Sequence, residues 1–142
     1  MPNIPSVNLS DFISDDLSLK QDFVNKLGKA YQEIGFVALK GHFLKDSDIK
    51  NIYKYIKKFF DLPKNIKCKY ELKGFAGQRG YTSFGKEHAK GKKHGDLKEF
   101  WHFGQYLDES EYSKFGYPKN LSVNEVPEFN KIGKKVYKSL EK

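Results

Sequence analysis

The chain has 142 residues, enough for one domain with a core and too few for two ordinary ones. Charged residues make up 31% and hydrophobic residues 38%, and the apolar share includes 12 Phe and 9 Tyr, a large aromatic content that a disordered chain lacks. The single cysteine excludes an internal disulfide and a Cys-rich zinc site, and the net charge of +8 rests on 25 Lys and one Arg, a solvated point-charge surface rather than the Arg forks of a specific nucleic-acid reader.

Residues 4–9 predict a first short strand, with Pro5 at an edge where no ladder donor is needed. A helix follows, with Ser18 as its N-cap and Leu19, Phe23, Leu27, Ala30, Tyr31 and Ile34 on one stripe, stopped by Gly35. Residues 36–39 predict a buried strand closed by Gly41, which completes a strand, helix, strand unit. A second helix begins at the cap candidates Asp46 and Ser47 and carries Ile49, Ile52, Tyr53, Ile56, Phe59 and Phe60 on one face. Leu62 and Pro63 end it, and Pro63 opens a further short helical turn through Cys68.

From Gly74 to Gly95 six glycines interrupt every helix or long strand, so the segment predicts a loop, and loops of this length are usually functional. Residues 97–103 predict a strand around Phe100 and Trp101, and residues 104–126 are turn-rich. Pro127 stands where a helix starts, and Phe129, Ile132, Val136, Tyr137 and Leu140 form its apolar stripe. That helix has no Gly or Asn stop before Lys142, so the sequence predicts a stripe that docks on something later in a longer chain, the alternative being a helix that frays into solvent.

Candidate chemistry is sparse. His94-Gly95-Asp96 has the H-x-D spacing of the two-His, one-carboxylate iron site, but that site needs a distant second His. The one His beyond Asp96 is His102, six residues on and about 20 Å from Asp96 if the strand is extended, so His94 is expected to be a solvated loop residue. His42 and His88 are expected at the surface, and Cys68 has no His placed by local sequence to act as its base. Gly77-Gln78-Arg79-Gly80 lacks the Gly-Lys-Ser/Thr ending of a phosphate loop. Arg79, the sole guanidinium, is either a carboxylate clamp for a substrate or half of a structural ion pair.

Ile4-Pro5 with Val7-Asn8-Leu9, the run AYQEIGFVALKG from Ala30 to Gly41 followed by His42, Phe59-Phe60 with Leu62-Pro63, Gly80-Tyr81, and Asp96-Leu97-Lys98-Glu99-Phe100-Trp101-His102 occur in that order. Together they resemble the N-terminal region of the isopenicillin N synthase-like dioxygenases over nearly the whole chain, the last run being similar to the bacterial branch. The resemblance implies an α+β fold: a helical region with a few strands, residues 1–142 as one N-terminal domain, leading into a double-stranded β-helix that these residues do not include. That barrel holds the family's iron ligands and its 2-oxoglutarate Arg. The resemblance therefore implies no catalytic or metal-binding residue here, with Fe(II) and 2-oxoglutarate expected for the complete enzyme. Isopenicillin N synthase itself uses no 2-oxoglutarate, so the co-substrate follows the family's majority.

In the family the H-x-D lies well downstream of the Trp-containing strand, which puts His94-Gly95-Asp96 at the wrong place for it. In some members the loop matching Arg79-Gly80-Tyr81 faces the substrate, which implies a substrate-binding role for Arg79 and Tyr81. The implied activity is oxidation of a small molecule by the complete enzyme, the chain alone being inactive. Two other readings are a protein-binding module that uses the apolar helix face and a basic nucleic-acid-binding domain, the latter without RNP-like aromatic and basic motifs. No apolar run approaches the roughly 20 residues of a membrane span, and the N-terminus shows no basic-then-apolar leader. A cytoplasmic setting, with neither membrane nor nucleic acid as partner, is the expectation.

Overall fold

The computed structural model describes residues 3–88, 91 and 95–141. It divides into two units, residues 1–43 and residues 44–142.

The first unit runs β1 (Ser6–Asn8), α1 (Leu9–Ile13), α2 (Leu17–Glu33) and β2 (Ala38–Lys40). β1 and β2 pair in parallel with Val7 opposite Leu39, the strand, helix, strand unit that the sequence predicts. The short helix α1 was not anticipated. Its signal is Asn8, whose side-chain oxygen accepts from the Ser10 N–H at 3.1 Å. The cap of α2 is Asp16 rather than Ser18: one Asp16 oxygen accepts from the Ser18 N–H at 2.8 Å and from the Ser18 hydroxyl at 2.7 Å. A carboxylate one residue before the helix outcompetes a hydroxyl already inside its first turn. Gly35 at φ 82° then lets the chain leave the helix in the left-handed region.

The expected burial of residues 36–39 does not hold, since Phe36 is 69% exposed and all three residues of β2 are exposed. A parallel strand is buried when layers cover both its faces, and a two-stranded sheet with one long helix supplies no such sandwich. The buried apolar residues of this unit are Val7, Phe23 and Ala30.

The second unit begins with α3 (Asp46–Phe60), followed by α4 (Lys64–Lys67) and a 3-10 turn, Cys68–Tyr70. The residue before α3 is Lys45, which makes no side-chain cap, so Asp46 and Ser47 lie within the helix instead of capping it. Asp46 and Asp48 still place negative charge against the positive helix end. Then come β3 (Gly80–Thr82), β4 (Phe100–His102), α5 (Glu109–Phe115) and α6 (Pro127–Leu140).

β3 is a strand inside the region expected to be loop, and all three of its residues are buried. Glycines limit how long a strand grows there without preventing a three-residue pairing. It runs antiparallel to β4 with Tyr81 opposite Trp101. α5 appears in the stretch read as turns, where Glu111 reaches back to accept from the Asp108 N–H at 3.1 Å and Gly116 at φ 65° ends the helix.

Phe59 of α3 is fully buried at the centre of this unit. It stacks on Phe129 of α6 at 5.3 Å between ring centroids and meets Trp101 of β4 edge-on at 4.8 Å. Asp48, buried in the first turn of α3, accepts from the Lys135 ammonium at 2.6 Å and ties α3 to α6. Among the described residues the architecture is α+β, six helices and few strands.

Candidate functional site

Alternation along the β3–β4 pair separates two chemistries. Tyr81 and Trp101 point into the core, where both rings meet Phe59 edge-on at 5.9 and 4.8 Å. Thr82, Phe100 and His102 belong to the other face, and with residues 71–74, 76–77 and 86–88 they line a cleft of about 610 Å³.

Beneath the strands lies a buried polar network. The Lys67 ammonium, at the end of α4, donates to the two Glu99 carboxylate oxygens at 2.9 and 3.0 Å and to the Phe60 carbonyl at 2.9 Å. All three ammonium hydrogens thus have an acceptor, the condition under which a buried lysine is tolerated. The Tyr81 hydroxyl donates to the same Glu99 carboxylate. Burial first, and then this hydrogen bond, hold the Tyr81 hydroxyl far above the usual phenol range, so it remains a donor. The network fixes β3 and β4 to the end of α4, and hence the floor of the cleft.

On the cleft side, Glu71 accepts from the Ser83 N–H at 3.0 Å and from Lys86 at 2.8 Å. Burial pushes the Glu71 carboxyl up, but the hydrogen bonds from Lys86 and Ser83 together outweigh it and leave it below its ordinary value. Gly77, at φ 73°, lies so close over β3 that a Cβ there would sit 2.7 Å from the Thr82 hydroxyl oxygen. That approach brings the Gly77 carbonyl to 2.6 Å from His102 Nδ1. A carbonyl only accepts, so Nδ1 carries the hydrogen.

The residues singled out by sequence fall in different places. Tyr81 lines the cleft but is 2% exposed, with its ring in the core. Arg79 does not line the cleft. Its guanidinium lies where a Cβ on Gly104 would be, 1.7 Å from Cζ, and Nη1 donates to the Gln78 carbonyl at 2.7 Å. Among the described residues Arg79 pairs with no carboxylate and its buried Nε has no partner, so the structural ion pair considered for it is not formed there. His94 lies outside the described residues, while Asp96 pairs with Lys98 at 3.3 Å. His42 is half-buried rather than on the surface, and His88 is exposed. Cys68 lines the same cleft as His88 and His102 without a hydrogen bond to either among the described residues.

Among the described residues no three His, Cys, Asp or Glu side chains converge to hold a metal ion, so they do not fit an iron centre. No helix among them is long and apolar enough to cross a membrane.

Sequence reasoning missed Lys67, Glu99, Glu71 and His102. The available signals were a lysine between Ile66 and Cys68 in a short helical turn, and a glutamate and a histidine flanking the aromatic pair of a strand.

Residues 4–128 match a family model described as non-haem dioxygenase in morphine synthesis N-terminal. A homoarginine-6-hydroxylase of rice, Oryza sativa subsp. japonica, is 35% identical over 96 residues, 63% of this chain and 29% of that protein. The 2-oxoglutarate-dependent dioxygenase thnC of Trichoderma harzianum is 30% identical over 130 residues, 89% of this chain and 39% of that protein. Among solved structures, a 2OG-Fe(II) oxygenase family protein from Caulobacter crescentus superposes with a TM-score of 0.76 at 34% identity, covering 97% of this chain and 44% of that one. A full-length Neurospora crassa protein solved with alpha-KG bound shares the fold at a TM-score of 0.74 and 22% identity, covering 42% of its chain. The chain therefore spans less than half the length of each of these proteins.

Proposed function

Because the chain belongs to the non-haem dioxygenase N-terminal family, we propose that it is the N-terminal part of an isopenicillin N synthase-like Fe(II)/2-oxoglutarate-dependent oxygenase that acts on a small molecule in the cytoplasm, and that it is inactive alone. The observation that carries this reading is an open apolar groove of about 430 Å³ between α3, β4 and α6, lined by residues that include Ile52, Ile56, Trp101, Val136 and Leu140. Apolar side chains gathered in a groove of this kind gain about 25 cal/mol for each Å² removed from water, a strong drive toward a covering partner. The double-stranded β-helix of the family is that partner in this reading, and it supplies the iron ligands.

The chain's own contribution is to shape and position the substrate side. The Lys67, Glu99 and Tyr81 network holds β3 and β4 rigid, so the cleft is set before a substrate arrives. Tyr81 forms part of its floor, and Arg79, without a carboxylate partner among the described residues, is assigned to a substrate group reaching past the strand pair. The second reading, a protein-binding module, draws on the same groove and differs in what covers it.

The 142-residue chain, given Fe(II), ascorbate and 2-oxoglutarate, is expected to release no succinate and to bind no stoichiometric Fe(II). Succinate production with one bound iron per chain would overturn the reading.

A further inference from the structure

The cleft on the outer face of β3 and β4 holds charges that are already spent. The Glu71 carboxylate is taken by Lys86 and the Ser83 N–H, and Glu87 pairs with Lys98. Neither acid on its lining is left to attract a cation, and compensated charge offers an anion little. Lys73 and His88 on the lining are exposed, so water screens the lysine's charge, and the Thr82 hydroxyl is buried without a partner among the described residues; beside these the cleft offers an apolar wall and one polar atom of fixed direction. Phe100 presents its ring, with Leu72 and Ala76 nearby on the lining. His102 stands beside Phe100 with 4.8 Å between ring centroids, and its Nδ1 donates to the Gly77 carbonyl at 2.6 Å. With Nδ1 carrying the hydrogen, the neutral imidazole keeps its lone pair on Nε2, an acceptor whose direction the Gly77 contact sets. A volume of about 610 Å³ lies within the usual range for a small-molecule site.

We propose that this cleft binds a neutral, planar molecule bearing an N–H or O–H donor, its ring against Phe100 and its donor on His102 Nε2. This rests on the oxygenase reading only for its biological meaning, since it would then define the class of substrate presented to the barrel. The binding itself is a property of this chain.

The test uses the 142-residue chain and three probes of similar size: indole, which has an N–H; 1-methylindole, which lacks it; and benzoate, which is an anion. Binding is followed by NMR titration at neutral pH. Indole is expected to saturate with shifts centred on Phe100 and His102, and 1-methylindole to bind about five- to tenfold more weakly, the value of one partly buried hydrogen bond. In His102→Phe, which keeps a ring and removes the acceptor, indole should fall to the level of 1-methylindole. Three results would overturn the site: equal binding of the two indoles to the unaltered protein, a preference for indole that survives in His102→Phe, or benzoate binding more tightly than indole. The indole pair needs no variant to fold. Succinate production by the chain alone would remove the proposed fragment role and leave this result untouched, whereas loss of the indole preference would remove the site and leave the family assignment standing.

Discussion

Single residues here do their work through non-local partners. Glu71 is the clearest titrating case. Its hydrogen bonds from Lys86 and Ser83 keep the folded-state pKa below the ordinary 4.5. A carboxylate depressed on folding contributes stability at pH values above the unfolded pKa, and that contribution is lost as pH falls through the folded value. Glu71→Gln keeps an acceptor for the Ser83 N–H and loses the charge. It is expected to lower the urea midpoint near pH 7, with the gap to the unaltered protein closing as pH falls below the ordinary 4.5 and through the depressed folded value. A constant gap across that range would show that Glu71 acts by shape alone. At the same scale, Lys67 and Glu99 explain why a lysine tolerates burial at all: the ammonium trades its water for three acceptors at 2.9 to 3.0 Å.

At the scale of elements, two glycines in helices give opposite expectations. Gly28 of α2 has nothing within 4 Å of an added Cβ, so Gly28→Ala gains the helix preference of alanine, about 0.5–1 kcal/mol, and should raise Tm. Gly133 of α6 would place its Cβ 2.3 Å from the Phe103 ring. That ring packs on Phe129 at 5.0 Å and Trp101 at 5.9 Å between centroids, contacts it would have to give up in order to yield. Overpacking costs about 1–3 kcal/mol and exceeds the gain in propensity, so Gly133→Ala should lower Tm. Thermal melts of the two variants decide it, and equal shifts in the same direction would refute the close contact of α6 with Phe103.

Helices were the legible elements, and for a local reason. Leu19 to Ile34, Ile49 to Phe60 and Phe129 to Leu140 each carry a stripe that repeats at helical spacing, and Pro127 marks a start. Cap positions shifted by a residue or two because Asp16, Ser18, Asp46 and Ser47 are interchangeable by type and differ only in which side chain reaches a free N–H.

For the molecule as a whole, apolar surface remains open in each unit. Leu17 is 77% exposed in the first, and Leu140 is 67% exposed at the end of the groove in the second. Apolar patches of this kind drive association unless something covers them. The chain is therefore expected to self-associate with rising concentration despite its net charge of +8. The double variant Val136→Glu with Leu140→Glu should shift sedimentation toward monomer while leaving the Phe59 core and the melting transition intact. Unchanged association would place the sticky surface elsewhere than the groove.

Sequence alone determined the three long helices and the family, because both are written in local periodicity and in the order of short motifs along the chain. Tertiary structure decided the rest. Tyr81 and Glu99 stand 18 residues apart and Lys67 and Glu99 stand 32 apart, yet they share one carboxylate. Local pattern cannot encode such a pairing, since it arises only when the packing of α3, α6 and the β3–β4 pair around Phe59 closes the intervening loop. The same closure turned a glycine-interrupted segment into a buried strand and a histidine with no sequence partner into the fixed acceptor of a cleft.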